Sequence, residues 1–162
     1  MDDQKQALFD WTLWFQWVLV TTVGWVLGWM LGTDVALVAA GPVIGMLQWV
    51  VLRQRIRQAG WWILATTLGW AAGWALVIGA ISPEVEVMTG TALGALTGTF
   101  QWFVLQRQLR QAGWWVVTSA LGWTAGLALL TGPLLVGAVA GAVTGITLEL
   151  LLRYPSLMKT HE

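Results

Sequence analysis

The apolar positions of this chain fall into six long runs, with polar residues gathered in the short gaps between them. The runs cover about 11–31, 35–53, 61–81, 86–106, 114–131 and 133–152, and a bilayer core about 30 Å thick needs roughly 20 apolar residues as a helix. Each run therefore predicts a transmembrane helix. Helix punctuation fills the gaps. Gly32-Thr33-Asp34 reads as a tight turn with Asp34 as N-cap, and Ser82-Pro83-Glu84 as N-cap, first-turn Pro and a carboxylate at the positive helix end. Ala59-Gly60 and Ala112-Gly113 read as helix ends closed by a C′ glycine. Pro42 falls inside the second run, where a kink is expected.

The cations sharpen this into a topology. Six crossings put Lys5, Arg53, Arg55, Arg57, Arg107, Arg110, Arg153 and Lys159 on the side of the two termini, opposite Asp34, Glu84 and Glu86. Lys and Arg beside spans mark the cytoplasmic face, so both termini are expected there. A bacterial inner or thylakoid-type membrane is the expected location. The N-terminus is acidic and lacks the basic start of a secretory signal, so the first run reads as a retained helix.

The chain also repeats itself. Gln48-Trp49-Val50-Val51-Leu52 recurs as Gln101-Trp102-Phe103-Val104-Leu105. Arg57-Gln58-Ala59-Gly60-Trp61-Trp62 recurs as Arg110-Gln111-Ala112-Gly113-Trp114-Trp115, and Leu68-Gly69-Trp70 as Leu121-Gly122-Trp123. Trp17, Thr21, Gly24 and Trp25 align with Trp62, Thr66, Gly69 and Trp70, while Gly41, Gly45 and Arg53 align with Gly141, Gly145 and Arg153. A two-span unit returns the chain to the same side, so the copies are parallel and related by an axis along the membrane normal. The expected fold is thus all-α: a polytopic membrane protein with six transmembrane helices as three parallel, pseudo-repeated helical hairpins. It forms a single membrane domain over 1–162, with hairpins at about 11–58, 59–110 and 111–154 and a polar tail at 155–162.

These blocks, Gln-Trp-x-Val-Leu, Arg-Gln-Ala-Gly-Trp-Trp and Leu-Gly-Trp-x-x-Gly, resemble those of Trp-rich repeat multi-span membrane proteins of the cyanobacterial and Chloroflexota type. The resemblance spans most of 11–153. It implies a lineage and a fold, and it brings no activity, cofactor or partner with it. Thr147, Leu148 and Glu149 depart from the repeated block.

Glycines recur every fourth position, for example Gly90, Gly94 and Gly98. Such GxxxG spacing lets helix backbones approach closely in lipid. Of the 14 tryptophans, Trp11, Trp14, Trp17, Trp49, Trp61, Trp62, Trp102, Trp114 and Trp115 lie near the cytoplasmic span ends, where indoles anchor at headgroup level. Trp25, Trp29, Trp70, Trp74 and Trp123 lie deeper, and with Trp17, Trp62 and Trp115 they form i, i+4 stripes down the odd helices. They read either as packing or as an apolar wall for a flat ligand such as a carotenoid, quinone or tetrapyrrole.

The polar intramembrane candidates are Gln16, Gln48, Gln101 and Glu149. A buried amide needs a hydrogen bond, so Gln48 and Gln101 are expected to bond between helices, to one another or to backbone. Glu149 has Arg153 at i+4, the favoured order for a local ion pair. A proton-carrying or ligand role, or an intersubunit contact, stays open for it. Arg53, Arg55, Arg57, Arg107, Arg110 and Arg153 are candidate headgroup-binding residues.

Composition narrows the chemistry. The chain is 57% hydrophobic and 10% charged, with net charge zero and no cysteine, and its mean hydropathy is +0.70. Charged residues make up about 25% of ordinary soluble domains, so too little polar surface remains for a water-facing fold. Zero net charge implies no nucleic-acid partner. The lone histidine, His161, sits in the tail, and no Ser/His, paired-carboxylate or metal-ligand set falls within the spans. No enzyme activity, catalytic residue, metal or cofactor is expected. The first reading is a non-enzymatic integral membrane scaffold or accessory subunit of a larger membrane complex. Its expected partners are the lipid bilayer and other membrane subunits or copies of itself. The alternative is a binder of a lipophilic ligand, whether lipid or pigment. A small-solute transporter or channel ranks lower because the span centres lack ionisable groups.

Overall fold

The computed structural model describes residues 9–31, 33–80, 86–130 and 132–154. They form six helices: α1 Trp11–Met30, α2 Thr33–Leu52, α3 Trp61–Ala80, α4 Glu86–Leu105, α5 Gly113–Leu129 and α6 Pro133–Arg153. No strand occurs among the described residues, so the chain is all-helical, as its apolar runs require. Each helix packs on its two neighbours in the chain, and α6 returns to α1, closing a ring. Helices α1, α3 and α6 are long and apolar enough to cross a membrane. At about 1.5 Å per residue, α1 is about as long as a bilayer core is thick.

Neighbouring helices come close at glycine. A methyl group at Gly69 would stand 2.5 Å from Thr97 Cα, and one at Gly90 would stand 2.6 Å from Thr124 Cα. Where the ring closes, Gly137 and Gly141 of α6 lie against the backbone of Thr22 and Val18, with equivalent distances of 2.8 and 2.9 Å. No side chain fits in these gaps. The outer surface is apolar instead, with large side chains such as Phe15, Leu68, Phe103 and Leu121 exposed.

Several local expectations need correction. Helix α2 begins at Thr33, which puts Asp34 inside the first turn rather than at the cap. Pro42 lies inside α2, within the span where the sequence put it. Gly60 and Gly113 do not end helices: Gly60 immediately precedes α3, and Gly113 is the first residue of α5. The left-handed residue in the α2–α3 connection is Gln58, with φ 60°. The Leu52 carbonyl accepts from both Arg55 N–H and Ile56 N–H, at 2.8 and 2.9 Å, and so turns the chain back under the bundle. Ile56 and Ala59 are buried there, as are Leu109 and Ala112 in the α4–α5 connection. The basic loops thus carry an apolar floor that joins the core around Trp62 and Trp115. Gly32, Ser82-Pro83-Glu84, Lys5, Lys159, His161 and the tail at 155–162 lie outside the described residues.

Candidate functional site

The odd helices each send one tryptophan to the centre of the ring at the end where the arginines lie. Trp17, Trp62 and Trp115 meet edge to face, with centroid separations of 5.9, 5.8 and 5.5 Å. Each is at most 1% exposed. The headgroup-anchor reading of these three is therefore wrong. In the pairs Trp61-Trp62 and Trp114-Trp115 the first indole faces out and the second faces in, because consecutive helical residues point about 100° apart.

A buried indole N–H needs an acceptor, and the even helices supply one to each. Trp62 Nε1 donates to Gln48 Oε1 at 2.9 Å and Trp115 Nε1 to Gln101 Oε1 at 2.8 Å. The amide nitrogens continue the chain: Gln48 Nε2 donates to Thr21 Oγ1 at 3.0 Å and Gln101 Nε2 to Thr66 Oγ1 at 2.9 Å. Gln48 and Gln101 do not face each other. Each instead ties its own even helix to the odd helices on both sides. Helix α6 has Leu148 where the glutamine would stand, and Trp17 Nε1 donates to Thr144 Oγ1 at 3.0 Å. Gln16 takes no part and is exposed.

Deeper in the ring a second triad repeats the arrangement. Trp25, Trp70 and Trp123 lie 5.7, 5.4 and 5.2 Å apart by centroid. Trp74 packs on Trp70 at 6.5 Å. Trp29 is 55% exposed and turned away. A step of four residues advances about 40° round a helix, so a run of such steps leaves the centre. The five tryptophans of the candidate ligand wall therefore do not share one surface, and three of them pack against each other. Between the triads lies a chamber of about 10 Å³, about the room that one water occupies. Its lining includes the hydroxyls of Thr21, Thr66, Ser119, Thr97 and Thr144. Thr97 Oγ1 is buried without a hydrogen-bond partner among the described residues.

The charged end is knit together by long-range contacts. Glu149 is 3% exposed, and its Oε1 accepts from Arg153 Nε at 2.9 Å, from Arg153 Nη2 at 2.6 Å and from the Asp10 backbone N–H at 3.0 Å. Its Oε2 has no partner among the described residues. Asp10 caps α1 by accepting from Leu13 N–H at 2.9 Å and pairs with Arg55 at 3.0 Å. The Leu13 hydrogen bond, helped by Arg55, holds the Asp10 carboxyl below its ordinary value. Gln108 clamps the two basic loops: its Oε1 accepts from Arg57 N–H at 2.9 Å, and its Nε2 donates to Arg57 O at 2.8 Å. Arg53 lies 5.6 Å over the Trp49 ring.

Asp10, Gln108, Thr97 and Thr144 were not among the sequence candidates. The signals in their favour were the placement of Thr97 and Thr144, each three residues after an aligned glycine, Gly94 or Gly141, and the position of Asp10 directly before the first apolar run, where an N-cap belongs. Among the described residues no group of three or more His, Asp or Glu could hold a metal ion. What the interior offers is aromatic packing and interhelical hydrogen bonds, with Trp25 Nε1, Trp74 Nε1, Thr89 Oγ1 and Thr97 Oγ1 buried and unpartnered among the described residues.

An all-helical ring with helices apolar enough to cross a membrane points to the class of helical membrane proteins. Comparison with protein-family models, curated proteins and solved structures found no match.

Proposed function

We propose that the chain is a non-enzymatic membrane scaffold or accessory subunit that crosses the bilayer six times as three related hairpins, with both termini cytoplasmic. Each of α2, α4 and α5 packs against at least one of the span-length apolar helices α1, α3 and α6, and neighbours in a closed ring share one environment. The three-hairpin reading draws on the identical bonding of Gln48–Trp62 and Gln101–Trp115. Orientation rests on the arginines: Asp10, Arg55, Arg57, Gln108 and Arg153 meet at one end, and cations beside spans favour the cytoplasm.

One observation carries the scaffold role: the ring is filled by its own tryptophans. Two indole triads cross the axis, and the chamber between them is about 10 Å³. Pockets for drug-sized ligands run to about 300–1,000 Å³, so a pigment or quinone would have to lie on the outside. A conduit would require both triads to open. The exposed Trp11, Trp61 and Trp114, at 67, 57 and 62%, offer indoles to lipid or to neighbouring subunits.

The test is extraction from the native membrane in mild detergent, with mass spectrometry and an absorption spectrum on one sample. A colourless protein in stable company with other membrane subunits supports the scaffold. A coloured protein purified alone would overturn it in favour of a pigment binder.

A further inference from the structure

On the outer face between α3 and α4, a groove of about 210 Å³ runs beside Trp61, Leu68 and Phe103 and ends at Arg57 and Arg107. We propose that this groove is a site for one anionic phospholipid, its acyl chain along α3 and its headgroup between the two arginines.

These two arginines fit this use better than Arg53, Arg55 and Arg153. Arg55 is paired with Asp10, Arg153 with Glu149, and Arg53 lies over Trp49. Arg57 and Arg107 have no carboxylate partner among the described residues, and no acidic residue lines the groove. They are also held together. The Gln108 amide bonds both the N–H and the C=O of Arg57, which fixes the α2–α3 loop beside the residue that follows Arg107. Two guanidiniums over an apolar trough, one of them on a clamped backbone, match a phosphate on a chain that stays in the bilayer.

The molecule holds its own control. Gln58, Trp61, Ala65, Phe103 and Arg107 correspond to Gln111, Trp114, Thr118, Leu150 and Tyr154, which line the groove between α5 and α6. That groove, of about 400 Å³, has Tyr154 in place of Arg107, and Arg110, the counterpart of Arg57, does not line it. It is at least as roomy and no charged residue lines it, although Arg110 stands beside Gln111 and Trp114 at its rim, so its headgroup preference should be weaker than that of the first groove.

This site rests on the membrane reading but not on the scaffold role. The test is native mass spectrometry of detergent-solubilised protein offered equal phosphatidylglycerol and phosphatidylcholine of the same acyl chains. One phosphatidylglycerol should be retained preferentially. Each arginine near an anionic headgroup is worth about fivefold, so Arg57→Gln/Arg107→Gln should reduce the preference by roughly twenty-five-fold. Tyr154→Phe should leave it unchanged, and Tyr154→Arg, which puts one guanidinium into the second groove, should raise phosphatidylglycerol retention there by about fivefold. Both arginines are exposed, and the intact Trp fluorescence of each variant verifies its fold. Equal retention of the two lipids, or an unchanged preference in the double variant, would overturn the site. A chain soluble without detergent would instead overturn the membrane reading, before any lipid is added.

Discussion

Trp62 donates its indole N–H to Gln48 Oε1 at 2.9 Å across the α2–α3 contact. Gln48 is 5% exposed and Trp62 is fully buried, so the bond joins two groups that have no access to water.

Removing that acceptor has unequal consequences in the two copies. Gln48→Leu strands the Trp62 N–H, because the residue one turn earlier on α2 is Ile44. Gln101→Leu leaves Trp115 near Thr97, whose Oγ1 is buried and unpartnered and which stands three residues after Gly94, as Thr144 stands after Gly141. Thr144 already serves Trp17 in this way. An orphaned buried donor costs about 1–3 kcal/mol, and interhelical hydrogen bonds in membranes average somewhat less. Gln48→Leu should therefore cost about 1–2 kcal/mol and Gln101→Leu about half as much, measured by denaturant titration in mixed micelles. Adding Ile44→Thr should recover most of the Gln48→Leu loss. Equal costs in the two copies, without rescue, would refute the exchange.

Glu149 and Arg153 form a buried pair whose members should not be removed singly. Breaking such a pair costs up to about 3–5 kcal/mol, whereas replacing both partners with apolar residues is often neutral. Arg153 retains 17% side-chain exposure and can reach towards water, so Glu149→Leu should cost no more than about 3 kcal/mol. Arg153→Leu should cost more, because Glu149 is the deeper of the two. The double variant Glu149→Leu/Arg153→Leu should recover at least half of the larger loss. Unfolding midpoints of the four proteins make the cycle, and additive losses would mean that the two side chains act separately.

Acid should loosen the end where α1 begins. The Leu13 N–H bond, followed by the Arg55 pair, holds the Asp10 carboxyl below its ordinary value of 3.8. A carboxyl lowered on folding contributes stability that is complete above its unfolded value and is lost as pH falls through the folded one. The Asp10 contribution should thus be constant at neutral pH and disappear below about pH 4. Asp10→Asn should flatten the stability profile in that range, while Asp10→Ala should cost about 1 kcal/mol near pH 7 through loss of the cap. Thermal unfolding of the three proteins as a function of pH tests this, and identical acid slopes would exclude Asp10 as the titrating group.

The helices were legible because each apolar run is bounded by charged or turn-forming residues. What lies inside the ring was less so. In a globular helix the apolar face marks the core, but here apolar residues cover every face. Trp61 and Trp62 look alike in sequence, yet they are 57% and 0% exposed. The i, i+4 spacing of Glu149 and Arg153 could be read locally, whereas the Asp10 contact to Glu149 joins residues 139 apart and leaves no local pattern. Ile56 and Leu109 carried a faint signal as lone aliphatics in basic loops at matching positions. The repeat alignment also paired Gln48 with Gln101, but it could not show that their partners are Trp62 and Trp115.

The glycine contacts give the sharpest test of the packing, because they differ within one molecule. Gly69 lies where α3 crosses α4, and a Cβ there would meet Thr97 Cα at 2.5 Å, Leu96 O at 3.0 Å and Thr97 N at 3.1 Å. All three atoms are backbone, so no side-chain rotation relieves the clash and the helices must separate. That separation would also pull Thr66, three residues before Gly69, from Gln101, four residues after Thr97. Gly60 has nothing within 4 Å of its equivalent position. Overpacking at a close crossing costs about 1–3 kcal/mol, so Gly69→Ala should lower stability by that amount and Gly60→Ala should be close to neutral. Replacing Thr97 by glycine beside Gly69→Ala cannot restore stability, because the obstructing atoms belong to the main chain. Recovery in that double variant, or a Gly69→Ala protein as stable as the parent, would mean that α3 and α4 do not approach this closely.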